Sequence, residues 1–208
     1  MILALDTCLT ACSAALLDGE VVRAARSEAM PRGHQERLAP MIGALMAEAG
    51  AAFADLTRVG VTVGPGSFTG LRVGLAFAKG LGAALAIPVV GVGALEALAF
   101  GRTGFVVAAI DARRGQVYVQ LHGDGVALTA PDALTAPDAM ARIAELYRGG
   151  PAVLVGSGAP LLAPALPDAA VDLADGPDPV AVARLAARAA IVPPRPLYLR
   201  APDAKLPA

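Results

Sequence analysis

"LALDTCLTACSAALLDGEV" (residues 3–21) lies without a gap on "AAIDARRGQVYVQLHGDGV" (residues 108–126) when Asp6 is set on Asp111. Each copy runs an apolar strand into an aspartate, then a short connection, a second apolar strand and a glycine turn. In the first copy, "MILALD" predicts a buried strand, and "ACSAALLDGEVVRAARSE" predicts two more, joined at Asp18-Gly19. That pair suits a turn whose central residues take positive φ. Further along, "HQERLAPMIGALMAEAG" (34–50) places Leu38, Met41, Ile42, Leu45, Met46 and Ala49 at helical spacing, with Gly50 as the stop. Pro40 fits only near the first turns of such a helix. "RVGVTVG" (58–64) predicts a strand covered on both faces, because its apolar character is continuous. A helix from Thr69 to Leu85 follows.

The repeat extends beyond the meanders, since "VTVGPG" (61–66) has a counterpart in "VLVGSG" (153–158). The expected architecture is therefore a duplicated α/β unit, divided into residues 1–101 and 102–208. The second copy is poorer in helix signals. "TAPDALTAPDAMARIAELYRGG" (129–150) predicts one helix, and the proline-punctuated "PPRPLYLRAPDAKLPA" (193–208) predicts an extended tail.

Composition narrows the function. Of the 208 residues 56% are hydrophobic, ample for a core, whereas 17% are charged and the net charge is -1. No global basic field draws nucleic acid to this chain, so any RNA connection is expected to be indirect. Cys8 and Cys12 form neither a disulfide framework nor a paired zinc motif, which points to a reducing compartment and to thiols in or beside the core. The uncharged run 81–95 is interrupted by Pro88 and is too short to span a bilayer. No basic segment precedes "MILALDT", so no signal peptide is expected.

The segment "GPGSFTGLRVG" (64–74) interrupts the alanine- and valine-rich chain with four glycines at the end of a strand. Glycines followed by a helix start can cradle phosphate through backbone N–H groups, and Ser67 and Thr69 are good caps. The lysine of a P-loop and the spacing of a dinucleotide fingerprint are both absent. A nucleophile elbow would need glycine two residues after Ser67, where Thr69 stands. Beside the phosphate cradle stands a second reading, a capped turn whose glycines let a helix sit close to a sheet, and composition does not decide between them.

"ILALDT" (2–7), "GPGSFTGLRVGLAFAKGLG" (64–82), "GVGALEALA" (91–99), "DARRGQVYVQL" (111–121) and "YLR" (198–200) together resemble the bacterial TsaB family, also called YeaZ. The resemblance implies a duplicated fold of the actin, sugar-kinase and Hsp70 type, with two ribonuclease-H-like halves, the second reduced. It also implies a cytoplasmic, non-catalytic subunit for N6-threonylcarbamoylation of adenosine 37 in tRNAs reading codons that begin with A. Such a subunit would activate a TsaD-type catalytic paralogue, meet a TsaE-type ATPase through the complex, and self-associate as a homodimer. It would touch tRNA only indirectly and have no business with a membrane. The implied partner interface lies on the two long helices, at Leu38, Met41, Ile42, Leu45, Met46, Leu71, Leu75 and Ala78.

In kinases of this fold an aspartate ending the first strand of each meander handles metal and phosphate, and Asp6 and Asp111 hold those places. The first turn lacks the paired glycines that wrap phosphates, while the second offers Gly115 with Arg113 and Arg114. Asp6, Thr7, Gly64, Gly66, Ser67, Thr69 and Asp111 are therefore expected to form a vestigial nucleotide site, with no cofactor or at most weak ATP or ADP binding. His34 lacks the second histidine four positions on, where Leu38 stands, and His122 is expected at the surface, so no metal is expected. The rival readings are an independent ATP-dependent small-molecule kinase of this fold and, further off, a metallopeptidase.

Overall fold

The computed structural model describes residues 1–200. Its first sheet is built from β1 (Ile2–Asp6), β2 (Ala11–Asp18), β3 (Val21–Ala29), β4 (Arg58–Thr62) and β5 (Val89–Val92), in the order β3-β2-β1-β4-β5. The meander is antiparallel, and β4 and β5 join it in parallel, as crossovers through helices require. Between β3 and β5 run α1 (His34–Glu48) and α2 (Phe68–Leu85), and α3 (Ala94–Ala99) follows β5. Asp18 pairs with Val21, so the hairpin turns on Gly19-Glu20, one residue later than expected, with φ +59 at Gly19 alone.

The second sheet repeats this plan with β6 (Phe105–Arg113), β7 (Gln116–Gly123), β8 (Val126–Ala127), β9 (Asp132–Thr135), β10 (Ala152–Val155) and β11 (Ala170–Asp172). Its order is β11-β10-β6-β7-β8, with β9 also paired to β7. The gapless alignment of the two meanders holds strand for strand, β2 at 11–18 matching β7 at 116–123. The expected helix at 129–150 begins at Thr135, whose hydroxyl caps α4 (Ala136–Leu146). A single turn, α5 (Ala159–Leu162), and a longer α6 (Pro179–Arg188) complete the set. No helix was expected at α6, although Asp178 as cap and Pro179 as first residue are ordinary start signals.

Four layers of side chains hold the sheets. Leu3, Leu5, Leu16, Val59 and Val61 meet α1 and α2 on one face of the first sheet. On the other face Ala4, Ala15, Leu17 and Val90 meet Val182, Ala183 and Ala186 of α6. Val107, Val119 and Leu121 of the second sheet meet Ile143 and Leu162, while Val106, Ala108 and Ile110 meet Leu95 and Leu98 of α3. The two sheets therefore face one another across α3 and α6. No helix among the described residues is long and apolar enough to cross a membrane.

The extended tail is as expected for 193–200, and 201–208 lie outside the described residues. It straps the loop at 64–74: the Leu197 N–H donates to the Val63 carbonyl at 2.7 Å, the Tyr198 ring lies 5.4 Å from that of Phe68, and Arg200 donates to the Ala112 carbonyl at 2.6 Å.

Candidate functional site, a cleft beside a filled cradle

The glycines of the loop at 64–74 are explained by what lies beneath them. A Cβ on Gly66 would stand 2.3 Å from the Cys8 carbonyl oxygen, one on Gly70 2.0 Å from that of Thr7, and one on Gly74 2.6 Å from the Thr7 hydroxyl. The start of α2 is thus pressed directly onto the β1–β2 turn, as the close-packing reading of the loop expects. Hydrogen bonds fasten it there. The Ser67 N–H donates to the Cys8 carbonyl at 2.7 Å and the Thr7 hydroxyl donates to the Gly70 carbonyl at 2.7 Å. Ser67 caps the helix, its hydroxyl accepting from the Gly70 N–H at 3.3 Å. The Ser67 and Gly70 N–H groups, donors that could grip a phosphate, are thus spent on the chain itself. Glycine at every fourth position from 66 to 74 was a signal present in the sequence, marking one helix face for backbone contact.

Asp6 lies behind this seal. It is fully buried, accepts from the Thr62 hydroxyl at 2.5 Å and the Cys8 N–H at 3.1 Å, and is roofed by Gly176 from the second half. Burial outweighs these bonds and raises its carboxyl above the usual range. Thr10 fixes the roof by donating through its N–H to the Asp175 carbonyl at 3.1 Å. Cys8 and Cys12 are free and buried, and burial lifts the Cys12 thiol to about 11.

Beside the seal opens a cleft of about 790 Å³ between the halves. Of the expected site residues it gathers Gly66, Ser67, Thr69 and Asp111, together with His34 and Arg113; Asp6, Thr7 and Gly64 stand apart from its walls. Asp111 accepts from the Arg113 N–H at 2.8 Å and pairs with its guanidinium at 3.3 Å. Arg113 pairs with Gln116, leaving Arg114-Gly115 as a two-residue turn with φ +55 and +72, the positive pair that a tight hairpin demands. Arg113 itself is held at φ +65.

Two expectations are corrected. Leu38, Met41, Ile42, Leu45, Met46, Leu71, Leu75 and Ala78 are each 5% exposed or less, spent on the core of this chain, and so cannot form a surface for a partner. His122 is 3% exposed rather than at the surface, because strand alternation turns it with Tyr118 and Gln120 toward the face near α3. Burial lowers its pKa.

Two sheets of one topology facing each other across a cleft define a protein of the actin, sugar-kinase and Hsp70 class. Residues 27–158 match the family described as TsaD, tRNA N6-adenosine threonylcarbamoyltransferase. YeaZ of Pseudomonas aeruginosa superposes with a TM-score of 0.82 at 30% identity, over 95% of this chain and 99% of that one. An uncharacterized protein of Mycobacterium tuberculosis is 37% identical over 98% of this chain and 93% of its own length. The tRNA threonylcarbamoyladenosine biosynthesis protein TsaB of Escherichia coli is 41% identical over 56% of this chain and 52% of its own. The chain belongs to the TsaB, or YeaZ, family.

Proposed function

We propose that this chain is a non-catalytic subunit in N6-threonylcarbamoylation of tRNA adenosine 37, acting by binding and activating a TsaD-type catalytic paralogue. The observation that carries the reading is the filled cradle. In a working kinase of this fold the β1–β2 turn must be open to phosphate, whereas here α2 sits on that turn and Gly176 covers Asp6. ATP or ADP binding by the isolated chain is accordingly weak, and the family likeness supports a cytoplasmic complex that a TsaE-type ATPase joins. The division at residues 101 and 102 marks the ancestral halves, with α6 returned to the first sheet.

Partner binding falls to the outer faces of α1 and α2. With Leu38, Met41, Ile42, Leu45, Met46, Leu71 and Leu75 turned inward, Pro40, Gly43, Ala44 and Ala47 face solvent on α1, and Ala76, Gly80 and Ala83 on α2. Small residues let another helix approach closely, from the catalytic paralogue or from a second copy of this chain.

Threonylcarbamoyl transfer by the cognate catalytic subunit, with and without this chain, tests the reading, together with calorimetric titration of ATP. Activity only with both proteins, and no ATP heat, is expected; Gly43→Arg should leave the monomer folded and remove the stimulation. Micromolar ATP binding without stimulation would return the cleft to the kinases.

A further inference from the structure

The net charge of -1 conceals an uneven distribution. No carboxylate occurs between Asp55 and Glu96, between Asp111 and Asp124, or in 179–200. These three acid-free segments converge where the tail straps the loop. Arg72 lies over the Phe68 ring, 3.8 Å from its centroid, and Phe68 meets Tyr198. Two residues further along, Arg200 reaches Ala112, which is followed by Arg113 and Arg114. The Arg113 side chain is 82% exposed, and Arg32 stands across the cleft. Five arginines thus follow one band, against Glu36 and Asp111 as the acids of the cleft wall.

The aromatic pair gives the band its meaning. Phe68 and Tyr198 are 41% and 45% exposed, although a chain with 4% aromatic residues could readily bury both. An exposed ring pair flanked by guanidinium groups is the arrangement that stacks unpaired bases while holding their phosphates. Rings with arginines also suit a protein interface, so the charge decides the occupant: the acid-free segments that meet here complement a phosphate backbone.

We infer that the Phe68–Tyr198 pair and the surrounding arginines form a docking surface for an unpaired segment of RNA. The inference rests on the proposed role in tRNA modification, but it gives this chain a direct contact with the RNA. Bases stack on the Tyr198 ring, beside the Phe68 ring that Arg72 covers, and the arginine band, most of all the exposed Arg113, faces the backbone.

The test is equilibrium binding of a tRNA that reads a codon beginning with A to the full chain at low ionic strength, followed by a salt titration. Tyr198→Ala should weaken binding about tenfold, while Tyr198→Phe, which keeps the ring, should bind as the wild type does. Arg113→Gln, at an exposed side chain, should lower the salt slope by about 0.7. A thermal melt of each variant separates lost contacts from a displaced strap. No binding, or binding indifferent to all three substitutions, overturns the inference, as does equal affinity for a fully duplex RNA. The transfer assay is read separately: stimulation that persists while tRNA binding is absent retains the subunit role and removes only the RNA surface.

Discussion

Gly70→Ala should destabilise the protein, although alanine is the better helix former. In an open helix the exchange gains about 1 kcal/mol. Here the new methyl would lie 2.0 Å from the Thr7 carbonyl oxygen, a backbone atom that cannot rotate away. Restoring ordinary contact requires α2 to retreat by more than an ångström from the β1–β2 turn. That retreat breaks the Thr7–Gly70 and Ser67–Cys8 hydrogen bonds, both 2.7 Å long, and each costs about 1–3 kcal/mol when a buried partner is left unsatisfied. Set against the propensity gain, the net loss is about 3 kcal/mol, or roughly 6–12 °C in Tm for a domain of this size. Gly80→Ala on the same helix is the internal control, since no atom lies within 4 Å of its Cβ position. It should raise Tm by about 2 °C. Thermal melts of both variants decide the matter. If Gly70→Ala melts with Gly80→Ala, α2 is not seated on the turn and the account of the filled cradle fails.

Leu45→Asp should unfold the chain rather than separate it from a partner, because a carboxylate at a fully buried position costs about 4 kcal/mol or more; a folded monomer by circular dichroism and size-exclusion chromatography would contradict the burial. His122 should make stability depend on pH. Its folded pKa is depressed below the ordinary 6.5, so its contribution is complete above pH 6.5 and is lost as pH falls through the folded value. Urea midpoints should decline for the wild type across that window, with the share due to His122 missing in His122→Leu; equal slopes would refute the assignment.

The meanders were legible because both copies kept their lengths, so that placing Asp6 on Asp111 aligned every strand of the hairpins. The role of the long helices was not. An apolar stripe at helical spacing looks the same whether it faces its own sheet or another chain, and Leu38 through Met46 turned inward. The face left to solvent carries proline, glycine and alanine, which produce no hydrophobic signal. The inward place of His122 was readable from its alternation with Gln120 along β7, which the expectation of a surface histidine overlooked. The site escaped for a related reason: burial of Asp6 depends on Gly176, 170 positions away, and no local pattern records such a meeting.

The placement of α6 sets an order for biogenesis. The strands of the first sheet leave the ribosome early, yet Ala4, Ala15, Leu17 and Val90 stay uncovered on one face until residues 179–188 have been made. The cover also fits tightly: a Cβ on Gly60 would come within 2.5 Å of the Ala186 methyl, leaving little room for a substitute. The nascent chain must therefore carry an exposed apolar sheet until α6 has been made, and unpaired apolar surface invites aggregation. Chains cut short before α6 would be sticky intermediates rather than working halves.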